Sequence, residues 1–304
     1  MWPHLHSCES RRRSAQMDLE LMFPRANSRS CRQRPVATSS TARLPKMKRR
    51  FTARLARWAN RRGYEIRRLP DDPWQLYPEA TAADREVISA VLPFTMTPPS
   101  RIWNLLKAVD YVLDEGVDGA MVECGVWRGG SVMAMALRLL QRGRDDRELW
   151  LFDTFEGMTP PTDLDVEAAT GRTARQKLEA TPYAAGWNIW AYAPRHEVEA
   201  NLATTGYPAP LVHFVEGDVA ATVTESFPDM VAILRLDSDF YESTLHELEG
   251  LFPRLAVGGV LIIDDYGHWE GARRATDEFF ANAGMTPLLV PVDTTCRIMV
   301  KTRG

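Results

Sequence analysis

The stretch Ala120-Met121-Val122-Glu123-Cys124-Gly125-Val126-Trp127-Arg128-Gly129-Gly130-Ser131 decides the fold. A short apolar run ends in an acid, turns through glycines and opens a helical pattern over residues 130–142. Working outward, further apolar runs at 148–153, 211–217, 231–237 and 259–264 join 120–125 as strand candidates, with helical patterns at 102–115, 241–254 and 270–283. Strand and helix alternate without internal repeats or long low-complexity blocks. That order predicts an α/β fold, a mostly parallel, doubly wound sheet with helices on both faces, preceded by a helical cap.

In such a sheet, ligands bind beyond the carboxyl ends of the strands, where strand order reverses. The candidate ends read Glu123-Cys124-Gly125, Asp153, Glu216-Gly217-Asp218, Asp237-Ser238-Asp239 and Asp264-Asp265. Every strand therefore brings a carboxylate to one edge. Clustered carboxylates repel unless a cation or hydrogen-bond donors compensate, so the set points to a metal, a ribose or both. The glycine turn is spaced GxxxGG rather than GxGxxG, which argues against a nicotinamide or flavin enzyme. A turn that merely packs would show the same glycines, but Asp153 at the next strand end supplies the acid a ribose needs. Together they favour an adenosyl ligand.

Asp237, Asp264 and Asp265 offer only oxygen, which suits a hard cation such as Mg²⁺ that keeps waters and open positions. The alternative is that Asp264 and Asp265 cap a loop or helix. His268, three residues on, reads as a loop histidine without special duty. Trp127, Trp187, Trp190 and Tyr192 read as packing residues, the last three in a long insert that could otherwise act as a substrate lid.

The 304 residues are 45% hydrophobic and 25% charged, ordinary globular usage, and net charge is −3. Residues 1–70 carry 18 Lys and Arg against 4 Asp and Glu, whereas residues 71–304 carry 19 against 36. An acidic body repels nucleic-acid phosphate, so no nucleic acid is expected there. Even the longest uncharged stretch, 180–194, is broken by Pro, Gly and Asn, and no transmembrane helix is predicted. The four cysteines, Cys8, Cys31, Cys124 and Cys296, form no CxxC pair, which points to a reducing cytoplasmic setting.

Residues 1–46 are Arg- and Ser-rich and read as a disordered basic leader, a targeting segment, or sequence ahead of a true start at Met47. From Met47, apolar residues Phe51, Leu55 and Trp58 share one face of a basic amphipathic helix. That helix would pack on its own acidic body or across a dimer, or lie on an anionic membrane surface. The expected organisation is a leader at 1–46, a cap with basic helix and linker at 47–115, and the catalytic domain at 116–304.

Five motifs in order, at 122–131, Phe152-Asp153-Thr154-Phe155-Glu156-Gly157, Glu216-Gly217-Asp218-Val219, Leu234-Arg235-Leu236-Asp237-Ser238-Asp239, and Gly258-Gly259 with Asp264-Asp265-Tyr266, resemble the macrocin O-methyltransferase family, the TylF, MycF and NovP group. The resemblance spans residues 85–300. It implies the Rossmann-like class I fold of S-adenosylmethionine-dependent methyltransferases, a homodimer, Mg²⁺, and methylation of sugar hydroxyls on natural products. Carried over, Glu123, Gly125, Arg128, Gly129, Gly130 and Ser131 line the methionine half of the cofactor, Asp153 the ribose and Asp218 the adenine. Asp237, Asp264 and Asp265 hold the metal, and Asp237 is also the general base. The run Gly267-His268-Trp269-Glu270-Gly271-Ala272-Arg273-Arg274 departs from the antibiotic enzymes, which leaves the acceptor open.

The expected chemistry is in-line transfer of a sulfonium methyl to an acceptor oxygen of a small molecule, with Mg²⁺ lowering the hydroxyl pKa. Asp237, with Asp239 or His268 as alternatives, takes the proton. Replacing Asp264 by Ala is expected to abolish metal-dependent turnover while sparing cofactor binding. Two rivals stand: a catechol or phenol O-methyltransferase of the same fold, and a noncatalytic binding protein using the basic N-terminal segment.

Overall fold

The computed structural model describes residue 61, residues 73–184, 186 and 188–303. The leader at 1–46, the basic helix from Met47 and Trp187 lie outside the described residues. The chain divides after Arg68, and everything below concerns the unit that starts at Leu69.

Two helices precede the sheet, α1 (Ala82–Val91) and α2 (Pro99–Asp114). Thr81 and Asp84 close a capping box at the start of α1, satisfying two amides that a helix otherwise leaves bare. Helix α2 opens on Pro99, whose missing N–H costs nothing at that position. It buries Ile102, Leu105, Leu106, Val109 and Val112, a three-and-four spacing that puts them on one face. Each such side chain contributes ~1.5–3 kcal/mol on burial. The Asp84 carboxylate, fully buried, receives Arg138 of the first sheet helix and Lys107 of α2, so the cap is ion-paired as well as packed.

The body then runs β1 (Ala120–Cys124), α3 (Gly130–Gln141), β2 (Leu149–Asp153), α4 (Ala174–Glu179), α5 (Arg195–Ala203), β3 (Val212–Glu216), α6 (Val219–Thr222), β4 (Val231–Leu236), α7 (Tyr241–Leu251), β5 (Leu255–Ile263), α8 (Glu270–Asn282), β6 (Val290–Pro291) and β7 (Arg297–Val300). One sheet takes the order β3-β2-β1-β4-β5-β7-β6. Strands β1 to β5 are parallel, and β7 runs antiparallel to both β5 and β6.

Alternate residues of each central strand feed two cores. Met121, Ile233, Val260 and Ile262 face α1, α2, α3 and α5, while Val122, Leu234, Leu261 and Ile263 face α7 and α8. Strand order reverses at the β1–β4 junction, where one crossover leaves toward β2 and the other returns at β4. The expected strands are all present. The predicted helix at 102–115 starts earlier, at Pro99, and the one at 241–254 ends at Leu251 because Phe252–Arg254 tightens into a 3₁₀ turn containing Pro253. Among the described residues no helix is long and apolar enough to cross a membrane.

Candidate active site

The hydrogen-bond ladder continues one residue past each strand. Gly125 N donates to Phe152 O at 2.8 Å, and Asp237 N to Cys124 O, Asp264 N to Leu236 O and Gly217 N to Asp153 O each at 2.9 Å. These bonds fix where the chain leaves the sheet, so Asp237 and Asp264 emerge side by side at the switch point.

The turn after β1 is built to admit the protein's own backbone. Gly125 has φ +78°, and a Cβ there would sit 2.2 Å from Asp237 O. A Cβ on Gly130 would lie 2.6 Å from Phe94 O, and one on Gly129 would meet Leu202 and Val198. These glycines let β4, the cap and α5 close around the turn. Asp153 ties it down. Its Oδ2 accepts the Val126 amide at 2.7 Å and the Trp127 amide at 3.2 Å, and its Oδ1 accepts the Phe155 amide at 2.7 Å. Burial pushes its pKa up, and those three amides pull the other way.

Arg128 pairs with Glu197 of α5 at 2.5 Å and donates to Pro93 O at 3.0 Å, clamping the turn to α5 and the cap. Ser131 is buried in the first turn of α3. Asp218 caps α6, accepting the Ala220 amide at 3.0 Å. All six glycine-turn residues, Asp153 and Asp218 therefore lie along the carboxyl edge of β1, β2 and β3.

At the ends of β4 and β5, Asp237, Asp264 and Asp265 each present a carboxylate oxygen, and these atoms lie within 4.8 Å of one another. Burial raises the Asp237 and Asp265 pKa values well above the usual range. Arg235 opposes this at Asp237, and repulsion from Asp239, Asp237 and Asp264 adds to it at Asp265. The Oδ2 of Asp265 is buried, and among the described residues no donor reaches it. An oxygen-only set that is short of positive charge fits a hard divalent cation.

Sequence reading quoted Arg235 without giving it a task. Its guanidinium is buried in the sheet, ion-paired to Glu123 on β1, to Asp237 Oδ2 at 2.7 Å and to Asp264 Oδ1 at 2.8 Å. Arg101 of α2 pairs with the other oxygen of Asp264 and holds Asp293 Oδ2 at 2.7 Å. Glu123 is buried, which pushes its pKa up to about 7 against the pull of Arg235, and its Oε2 has no hydrogen-bond partner. A buried cation inside a β-strand was the available signal, because an arginine in an otherwise apolar run must find anions.

The insert between β2 and β3 is fastened to the same edge. Asp165, fully buried, accepts the Tyr241 amide at the start of α7 at 2.7 Å, and Glu167 bridges to Trp269. A Cβ on Gly271 would strike the Asp165 carboxylate at 2.0 Å, so the α8 start must be glycine for the insert to seat. His268 Nε2 lies 3.7 Å from Glu167 Oε1 rather than alone in a loop. Asp239 accepts the Trp269 indole N–H at 2.8 Å. Trp127 is buried, and Trp190, with its indole on Thr181 O at 2.7 Å, stacks edgewise on Tyr183, which also contacts Tyr192.

A seven-stranded doubly wound sheet of this order, with a glycine turn after β1 and an acid ending β2, defines a class I methyltransferase. Residues 70–301 match the family described as Macrocin-O-methyltransferase (TylF). The 8-demethyl-8-(2,3-dimethoxy-alpha-L-rhamnosyl)-tetracenomycin-C 4'-O-methyltransferase of Streptomyces olivaceus is 34% identical over 66% of this chain and 73% of its own. Mycinamicin III 3''-O-methyltransferase of Micromonospora griseorubida is 31% identical over 66% and 75%. The solved structure of the O-methyltransferase NovP is 29% identical with a TM-score of 0.60, covering 69% of this chain and 83% of that one. The chain belongs to the macrocin O-methyltransferase family and is an S-adenosylmethionine-dependent O-methyltransferase.

Proposed function

We propose that the protein methylates a sugar hydroxyl of a natural product or glycoconjugate, with Mg²⁺ held by Asp237, Asp264 and Asp265. The observation that carries this reading is the convergence of those three carboxylates within 4.8 Å, one of them with a donorless buried oxygen. Relatives named for rhamnosyl 4'-O and mycinamicin 3''-O methylation support the sugar.

When bound, the cofactor supplies an electrophilic sulfonium methyl, and the metal supplies Lewis acidity toward the acceptor hydroxyl. Glu123, with its unpartnered Oε2, is suited to an ammonium group, as the methionine end requires. Gly125, Arg128, Gly129, Gly130 and Ser131 shape the turn beside it. The lone pairs of Asp153 left over from three amides are suited to ribose hydroxyls, and the family resemblance assigns Asp218, just past β3, to the adenine. Arg235 engages Asp237 through Oδ2, which leaves Oδ1 free of the guanidinium, and the family resemblance assigns this carboxylate the acceptor's proton.

In this reading residues 116–304 carry the chemistry and 47–115 the cap, in a homodimer, as the resemblance implies. The cytoplasmic setting rests on thiols: among the described residues Cys124 and Cys296 are free and buried.

The test is methyl transfer from labelled S-adenosylmethionine to a panel of rhamnosides and catechols, before and after chelation. Transfer to a sugar hydroxyl, lost with EDTA and restored by Mg²⁺, is expected. Transfer only to catechols would move the assignment to the phenolic rival, and chelator-resistant transfer would remove the metal from it.

A further inference from the structure

We propose that Arg235 is a positioning residue shared by the two halves of the site, one buried guanidinium setting both the cofactor-facing acid Glu123 and the metal-facing acids Asp237 and Asp264. The inference rests on the function proposed above and adds a task for a side chain that touches neither ligand.

The geometry is specific to an arginine. Nη1 serves Glu123 and Asp237, and Nη2 serves Asp264 Oδ1 at 2.8 Å and the Thr97 hydroxyl at 3.0 Å. Three carboxylates from three adjacent strands thus meet on one planar fork. Arg235 is among the largest fully buried side chains, at 2% exposure, so water does not screen these pairs. Register makes the arrangement possible: Arg235 lies directly beside Glu123 across the β1–β4 ladder and beside Ile262 across β4–β5, two residues before Asp264.

Two of the three acids keep an oxygen for a ligand. Glu123 Oε2 accepts no hydrogen bond within the described residues, and Asp237 spends only Oδ2 on Arg235, whereas Asp264 divides its two oxygens between Arg235 and Arg101. The guanidinium therefore fixes the orientation of each carboxylate and leaves an outer oxygen of Glu123 and Asp237 available. A lysine would supply the charge but not the fork.

Binding in metal-free and cofactor-free protein reads the two halves separately. Calorimetry with S-adenosylhomocysteine in EDTA, and with Mg²⁺ in the absence of cofactor, is compared among wild type, Arg235→Met and Arg235→Lys. Thermal melts report the folded fraction. Asp153→Asn and Asp265→Asn are one-sided controls, since neither residue touches Arg235.

Arg235→Lys is expected to melt near wild type yet bind both ligands at least about tenfold more weakly. Arg235→Met, if it folds, should behave likewise. Asp153→Asn should weaken only S-adenosylhomocysteine, and Asp265→Asn only Mg²⁺. A folded Arg235→Lys that binds both ligands within threefold of wild type makes Arg235 a structural residue. Loss confined to one ligand assigns it to that half and overturns the sharing. Failure of the wild type itself to bind S-adenosylhomocysteine or Mg²⁺ would instead strike the underlying functional reading.

Discussion

The Asp153 carboxylate holds the Val126 amide at 2.7 Å, joining the end of β2 to the turn that follows β1. Two further amides, Trp127 and Phe155, share the same side chain, so one acid organises the chain on both sides of the proposed cofactor site. Asp153→Ala leaves three buried donors unmatched, each at a cost of ~1–3 kcal/mol before relaxation. The expected result is a loss of about 3 kcal/mol in urea denaturation. It should be accompanied by weaker S-adenosylhomocysteine binding. A stable variant with unchanged binding would mean the amides find water instead.

Gly125→Ala tests the close approach of β1 to β4. The new methyl meets Asp237 O at 2.2 Å in a backbone with φ +78°, so overpacking and a left-handed strain add. A loss of about 2–4 kcal/mol is expected. Gly143, with φ +67° and nothing within 4 Å of a Cβ, bears only the backbone strain. Its alanine variant should lose ~1 kcal/mol, and equal losses at the two positions would remove the steric argument.

Asp264 and Asp265 are not equivalent, although they are adjacent. Asp264 pairs with both Arg101 and Arg235, so Asp264→Ala removes one anion from each guanidinium and should lower stability by ~1.5–3 kcal/mol as well as ending metal-dependent turnover. Among the described residues Asp265 pairs with no basic side chain, and Asp265→Asn should end the metal response while the melting temperature holds or rises. Melting curves of the two variants side by side decide it.

Glu247 of α7 is fully buried, and burial raises its pKa from 4.5 to about 8 against the pull of the neighbouring Ser238 hydroxyl. Between those values the folded protein holds a proton that the unfolded chain has released. Its stabilising contribution is present below about pH 4.5 and is lost as pH rises through 8. Glu123, raised to about 7, acts with the same sign. In chelator, the wild-type melting temperature should fall from pH 5.5 to 8.5, and Glu247→Gln should flatten that fall by at least about 2 °C. Parallel curves for the two proteins would exclude Glu247 as the source.

The strand ends were legible because each apolar run stops at an acid, and a parallel sheet leaves few other places for such a residue. Helix α1 carried a readable signal as well, the Thr81-Ala82-Ala83-Asp84 capping box, but its apolar face is short. Strands β6 and β7 escaped because two and four residues at a sheet edge show no period. Arg235 and Arg101 were hidden for a different reason. Apart from Asp237, two residues from Arg235, their charged partners are 29 to 192 residues away in sequence, and only the sheet register and the placement of α2 bring them together. The packing reading of Trp127 and Trp190 agrees with their burial, whereas His268 gains a carboxylate neighbour that its isolation in sequence concealed.

Arg101 gives the cap helix a stake in the chemistry of a sheet it precedes. One side chain on α2 reaches Asp264 at the end of β5 and Asp293 and Thr295 ahead of β7, all of them 163 to 194 residues further along the chain. Exchange of modules between family members would therefore not respect the obvious boundary before β1. A chimera that imports a foreign α2 without its matching 293–295 loop would inherit an intact sheet and a misset carboxylate, so the inherited unit is the pair.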